Sequence, residues 1–203
     1  MTAASPTAAA SSTSLHRLLE QRAGAAEISA YLDALSPSAR VDEVLGIKGR
    51  GVKHLYETCA SAAPLTVDDI LPASATGTRI YEGRNSLPTF SRFQKRFTRL
   101  STGQIIGYNH QTMAFVTGPG YFAVKPAQGS GEHATEPYFD YTEAPASEPP
   151  GWPAFKPNDA GLSRLVYANM FDYMRRVARG VLVGKAYKNG VAQDAYFSLS
   201  YAA

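Results

Sequence analysis

Through the first third of the chain, apolar residues recur at helical spacing. Leu15, Leu18 and Leu19 follow Ser14, whose hydroxyl suits a helix N-cap. Ile28, Leu32 and Leu35, with Tyr31, make a second stripe. Val41, Val44 and Leu45 make a third, opened by Ser36-Pro37, a capping residue followed by proline in the first turn. Val52, Leu55, Tyr56 and Cys59 mark another short helix after Gly49-Arg50-Gly51. Residues 14–62 are therefore expected to be a small helical subdomain of about four short helices. A small, polar, flexible tail (1–13) precedes it, and a connector at 63–77, containing Pro64 and Pro72, follows.

From about Arg79 the pattern changes to short runs rich in Tyr, Phe, Val and Thr, broken by turn residues, which are strand signals. Strands are expected at 78–82, 95–99, 104–109, 113–117, 121–125, 138–142, 181–188 and 195–200. Gly118-Pro119-Gly120 and Asn189-Gly190 read as hairpin turns, the second being the type I′ dipeptide. Residues 127–136 and 144–161 are rich in Gly, Pro, Glu and Ser and are expected to be loops.

Two stretches fit more than one period. Leu87, Phe90, Phe93, Phe97 and Leu100 lie on one helical face, yet Phe93, Lys95, Phe97 and Arg99 equally share one side of a strand. A helical turn after Pro88 that gives way to a strand near Lys95 reconciles the two patterns. Later, Leu162, Leu165, Val166, Asn169, Met170, Tyr173, Met174 and Val177 keep a helical stripe, with Arg175, Arg176 and Arg179 at its C-terminal end. The expectation is one long helix over 161–177 that covers a side or end of the sheet.

Composition adds limits. The chain has 203 residues, enough for a buried core, and 44% of them are hydrophobic, so it is not wholly disordered. A net charge of +3 names no partner. Cys59 is the only cysteine, which excludes an intramolecular disulfide and a cysteine-cluster metal site. With neither a secretion signal nor an apolar run of membrane-helix length, a cytoplasmic protein without a membrane span is expected.

The C-terminal stretch YANMFDYMRRVARGVLVGKAYKNGVAQDAYFSLSY (167–201) resembles the closing segment of bacterial lipocalin-like proteins of the GXWXG type, which have no assigned function. Asp172-Tyr173, Arg175-Arg176, Val181 to Gly184 and Tyr196 to Ser198 occupy the places of their helix with an Asp-aromatic and a basic pair, glycine-containing strand and final aromatic strand. YEGRNSLPTFSRFQKRF upstream is loosely similar to their first strands. The tryptophan motif that names the family is absent. The resemblance implies a β-barrel or strongly curved sheet with room for an interior ligand, and gives no substrate.

Motifs of known chemistry mostly reduce to structure. Gly118-Pro119-Gly120 lies between expected strands and proline removes an N–H donor, so a hairpin is preferred to a phosphate cradle. Gly180-Val-Leu-Val-Gly184-Lys185 has the wrong spacing for a Walker loop and reads as a strand. The histidines at 16, 54, 110 and 133 lack ligand spacing, so no metal and no cofactor is expected. His110, beside Asn109, could act as a general acid or base, against the plainer reading of a polar hairpin residue. Arg92, Lys95, Arg96 and Arg99 alternate with phenylalanines, a pattern that could stack bases and meet phosphates. The same pattern arises from a sheet with aromatics inward and a solvated basic face, so a nucleic-acid partner is not favoured.

These features converge on an α+β protein: a helical N-terminal segment, then an antiparallel lipocalin-like barrel or curved sheet (78–203) closed by the 161–177 helix. Arg84, Asn85, Arg96, Asn109, His110, Tyr121 and Tyr187 are the polar groups expected at the mouth of such a barrel. The function expected is noncatalytic binding of a small, partly apolar ligand, with an anionic, lipid-like end where arginine or histidine meets it. The alternatives are an enzyme using His110 as acid or base, and a scaffold or nucleic-acid partner acting through residues 92–99. Oligomeric state is not legible.

Overall fold

The computed structural model describes residues 13–88, 91–111 and 118–202. Its first layer is helical: α1 (Leu15–Glu20), α2 (Ala25–Asp33), α3 (Pro37–Gly46) and α4 (Arg50–Thr58), the last continuing into a 3₁₀ turn at Cys59–Ser61. Ser14 and Ser36 accept hydrogen bonds from Arg17 N and Ala39 N, as N-caps do. A further short helix, α5 (Val67–Ile70), starts at a capping box formed by Thr66 and Asp69.

Eight strands follow among the described residues: β1 (Arg79–Asn85), β2 (Arg92–Arg99), β3 (Ile105–His110), β4 (Phe122–Lys125), β5 (Tyr138–Asp140), β6 (Met170–Ala178), β7 (Val181–Lys188) and β8 (Val191–Tyr201). Each pairs antiparallel with the next, and β8 returns to β1 with Tyr81 opposite Tyr201 and Asn85 opposite Phe197. The sheet is thus a closed barrel with a few helices, the arrangement of a lipocalin-like α+β protein, and closure leaves no open edge. Asn189 and Gly190 both have positive φ (52° and 74°), as the type I′ turn between β7 and β8 requires.

The helices lie against the outside of the barrel. Leu15, Leu18, Ile28, Leu32, Val44, Val52, Leu55 and Cys59 form one buried cluster with Val177, Val181, Val183 and Tyr196 of β6, β7 and β8. Each such side chain contributes about 1.5–3 kcal/mol through burial. Arg40 fastens this layer: its guanidinium donates to Leu32 O, Leu35 O and Arg179 O, joining the end of α2 to the β6–β7 turn.

Inside the barrel the strand alternation sends Tyr81, Phe97, Ile105, Val124, Leu182 and Leu199 to one end. Leu65, Ile70 and Leu71, on and around α5, pack onto that end, and the Tyr81 hydroxyl donates to Ile70 O at 2.9 Å. Inward glycines make room for rings, as at Gly83, where a Cβ would sit 2.7 Å from the Phe93 ring. A Cβ on Gly107 would sit 2.4 Å from the Phe122 ring, and one on Gly184 2.4 Å from the Phe197 ring.

The long helix expected over 161–177 is corrected by the structure: only Ser163–Val166 is helical, and Met170–Ala178 is strand β6. Asn169, with φ of 52°, breaks any helix at that point. From there β5 and β7 supply hydrogen bonds on both sides, which outweighs the helical period of the apolar residues. Asp172 and Met174 turn inward, while Tyr173 and Arg175 face out. In the other ambiguous stretch, the strand already begins at Arg92 rather than near Lys95. The strand expected at 113–117 and most of the tail expected at 1–13 lie outside the described residues. The stretches 127–136 and 144–161 carry neither helix nor strand. The second lies over β3 and β4, where Trp152 and Phe155 pack on Tyr108 and Tyr121.

Candidate functional site

At the end of the barrel opposite α5, the interior is hollow. A cavity of about 420 Å³ opens there, within the range of small-molecule pockets (about 300–1,000 Å³). Its apolar lining includes Phe93, Met170, Ala186 and Phe197, with exposed Leu87 and Val166 at its edge, and its polar lining is Asn85, Lys95, Asn109, Gln111, Tyr141 and Asp172.

Strand register brings this polar group together. Phe93, Lys95 and Phe97 share the inner side of β2, and Lys95 stands directly opposite Asn109 on β3. Asp172 stands opposite Phe139 across β5 and β6, and Tyr141 follows the end of β5. Lys95 Nζ donates to Asn109 Oδ1 at 2.8 Å, to Asp172 Oδ2 at 3.2 Å and to the Tyr141 hydroxyl. Tyr141 in turn donates to Asp172 Oδ2 at 3.0 Å. Asn109 Nδ2 donates to Gly120 O at 3.2 Å, which holds its carbonyl toward the lysine.

Five aromatic rings surround the ammonium, with Phe122 at 4.7 Å and Phe197 at 5.0 Å from Nζ to the ring centre, and Phe93, Phe139 and Tyr141 slightly farther. A neutral lysine has two N–H donors, whereas three acceptors face this one. An ammonium, with three N–H donors, matches all three. Burial pushes the Lys95 pKa down, and the neighbouring Asp172 carboxylate opposes that shift. Burial also pushes the Tyr141 phenol well up, with Asp172 acting in the same direction. The floor of the cavity can thus offer hydrogen bonds to a polar group, and protons can pass among Lys95, Tyr141 and Asp172.

No family model, curated protein or solved structure matches the chain. The resemblance to GXWXG-type proteins, most specific over 167–201, implied a helix where the structure has strand β6.

Of the residues expected at a barrel mouth, the structure brings Asn85 and Asn109 to the cavity. The others point elsewhere. Arg84 leaves the opposite face of β1 and donates to Leu45 O of α3 at 2.7 Å. Arg96 lies outside, bound to Gln94 Oε1 and to the Tyr108 hydroxyl. His110 is exposed on the outer side of β3, edge-on to Tyr108, and burial followed by the Arg96 charge lowers its pKa. Tyr121 lies beneath the 144–161 loop and donates to Pro153 O at 2.7 Å. Tyr187 is on the outer face of β7, where it meets Glu132, His133 and Tyr173.

The basic segment is not one surface either. Lys95 is interior, and Arg99 is tied to Asp68 and Leu71 O. Among the described residues, no group of three or more His, Cys, Asp or Glu side chains is placed to hold a metal ion, and no helix is long and apolar enough to cross a membrane. Buried Cys59 has its thiol pushed up to about 12 by burial.

Sequence reasoning missed Lys95, Tyr141 and Asp172 as a unit. The signal available was a lysine between Phe93 and Phe97 on the aromatic side of a strand, which is not where a solvated lysine belongs.

Proposed function

We propose that the barrel binds a small, largely apolar molecule whose polar end is uncharged, a carbonyl or hydroxyl group set against Lys95, Tyr141 and Asn109. The observation that carries this reading is the buried Lys95–Asp172 pair at the floor of a largely apolar cavity. The two charges cancel, so an added carboxylate would bury a net negative charge with no partner, a large cost in a low-dielectric site. An uncharged acceptor or donor can share the existing hydrogen bonds at little cost. This departs from an anionic ligand end, whose support was the placement of arginine and histidine at the mouth. Arg84, Arg96 and His110 face outward, which withdraws that support. Exposed Leu87 and Val166 at the rim favour entry of an apolar body.

The test is a binding series with matched alkyl aldehydes, alcohols and carboxylates, followed by native mass spectrometry and displacement of a fluorescent apolar probe. The uncharged members should bind at least tenfold more tightly than the carboxylates, and at acidic pH, where Lys95 keeps its charge without its partner, Asp172→Asn should reverse that order. Indifference to all three series removes the proposal.

A further inference from the structure

Resting on that reading, we infer that Lys95 forms a reversible imine with an aldehyde bound in the barrel. Among the described residues, Lys95 is the only lysine that lines the cavity, and its side chain is buried there rather than exposed at the rim. An aldehyde that enters head first brings its carbonyl carbon to Nζ. The groups that imine chemistry requires are already in contact with that nitrogen: a carboxylate that can take its proton and a phenol that can deliver one.

The step balances within these residues. One proton passes from the Lys95 ammonium to the Asp172 carboxylate, freeing the nitrogen lone pair. That pair attacks the carbonyl carbon as the C=O π electrons move onto oxygen. The new N–H proton reaches that oxygen through the Tyr141 hydroxyl, which gives a neutral carbinolamine. Asp172 then returns its proton to the carbinolamine oxygen, the C–O bond breaks, water leaves, and the nitrogen lone pair forms C=N. The product is a protonated imine facing an Asp172 carboxylate, so the cavity carries the same charges as before, and hydrolysis follows the same path in reverse. The lowered pKa of Lys95 favours the first transfer, and the surrounding rings keep bulk water from the imine.

The experiment uses the full chain, decanal as probe, and sodium borohydride to fix any imine as a secondary amine, read by intact mass and peptide mapping. One adduct is expected at Lys95, formed at least tenfold faster than adducts at the six other lysines. Excess decanol, which fills the same cavity without a carbonyl, should suppress the Lys95 adduct and leave surface adducts unchanged. Lys95→Arg should lose the adduct, and because the decanol competition uses the unmodified protein, the result does not depend on that variant folding. Saturable decanal binding without a trapped Lys95 adduct overturns the imine and leaves the binding proposal standing. If neither decanal nor decanol displaces an apolar probe, the binding proposal itself falls.

Discussion

Lys95 Nζ lies 3.2 Å from Asp172 Oδ2, across a sequence separation of 77 positions, with each side chain 3% exposed. A buried ion pair of this kind stabilises less than its geometry suggests, because desolvating both charges offsets most of their attraction. Breaking it from one side is another matter. Lys95→Met should destabilise the protein by about 3–5 kcal/mol, since it strands a buried carboxylate. Lys95→Met combined with Asp172→Asn should recover most of that loss, because the asparagine oxygen still accepts from Tyr141. Chemical denaturation of the two variants decides it; equal losses would mean the residues do not act as a pair.

Asp172→Asn alone gives a pH signature. The folded pKa of Lys95 is already below its ordinary value, and removing the opposing carboxylate lowers it further. Between the folded and unfolded values the unfolded chain binds more protons, so stability rises with pH across that window. Below the folded value the native state must carry the buried charge and the deficit is largest. Denaturation midpoints measured from pH 6 to pH 9, below the range where tyrosines ionise, should climb more steeply for Asp172→Asn than for the unmodified chain. A flat difference would show that Lys95 keeps its charge unaided.

Gly107→Ala tests how closely the barrel interior is filled. The new Cβ would sit 2.8 Å from Arg96 O, a backbone atom that cannot swing away, as well as against the Phe122 ring. A loss of about 1–3 kcal/mol is expected. Gly190→Ala is the useful contrast: nothing lies within 4 Å of its Cβ position, so its cost should come from its positive φ of 74° alone.

Arg40→Met removes donors from Leu32 O, Leu35 O and Arg179 O while keeping an apolar stem in place. The expected cost is about 2–3 kcal/mol. Hydrogen exchange should show it concentrated in α1 to α4, with amides in β2 and β3 keeping their protection. Uniform loss across the barrel would mean the helical layer is integral to the sheet rather than laid upon it.

The barrel was legible because its strands announce themselves by turn dipeptides and aromatic alternation. Residues 181–188 and the Asn189-Gly190 turn stand where the sequence puts them. β6 was not, since Met170, Tyr173, Met174 and Val177 satisfy a helical period while the decisive hydrogen bonds come from strands far away in sequence. The same non-locality hid the polar floor of the cavity. Lys95 meets Asn109 through register and Asp172 across the barrel, and neither distance has a local sign. Residues chosen for being polar near a turn, such as His110 and Arg84, fall on whichever face the alternation assigns them. Asn85 and Asn109 face the cavity for that reason alone.

Leu65, Ile70 and Leu71 close one end of the barrel, and the cavity opens toward the other. On the proposed reading, a guest is graded from the bottom up: its head must match the floor, while its tail points toward exposed Leu87 and Val166. Affinity should therefore grow with each methylene that stays within the walls and then level off once the chain clears Leu87 and Val166. The chemistry of the head, rather than the length of the tail, would then decide which visitors are kept.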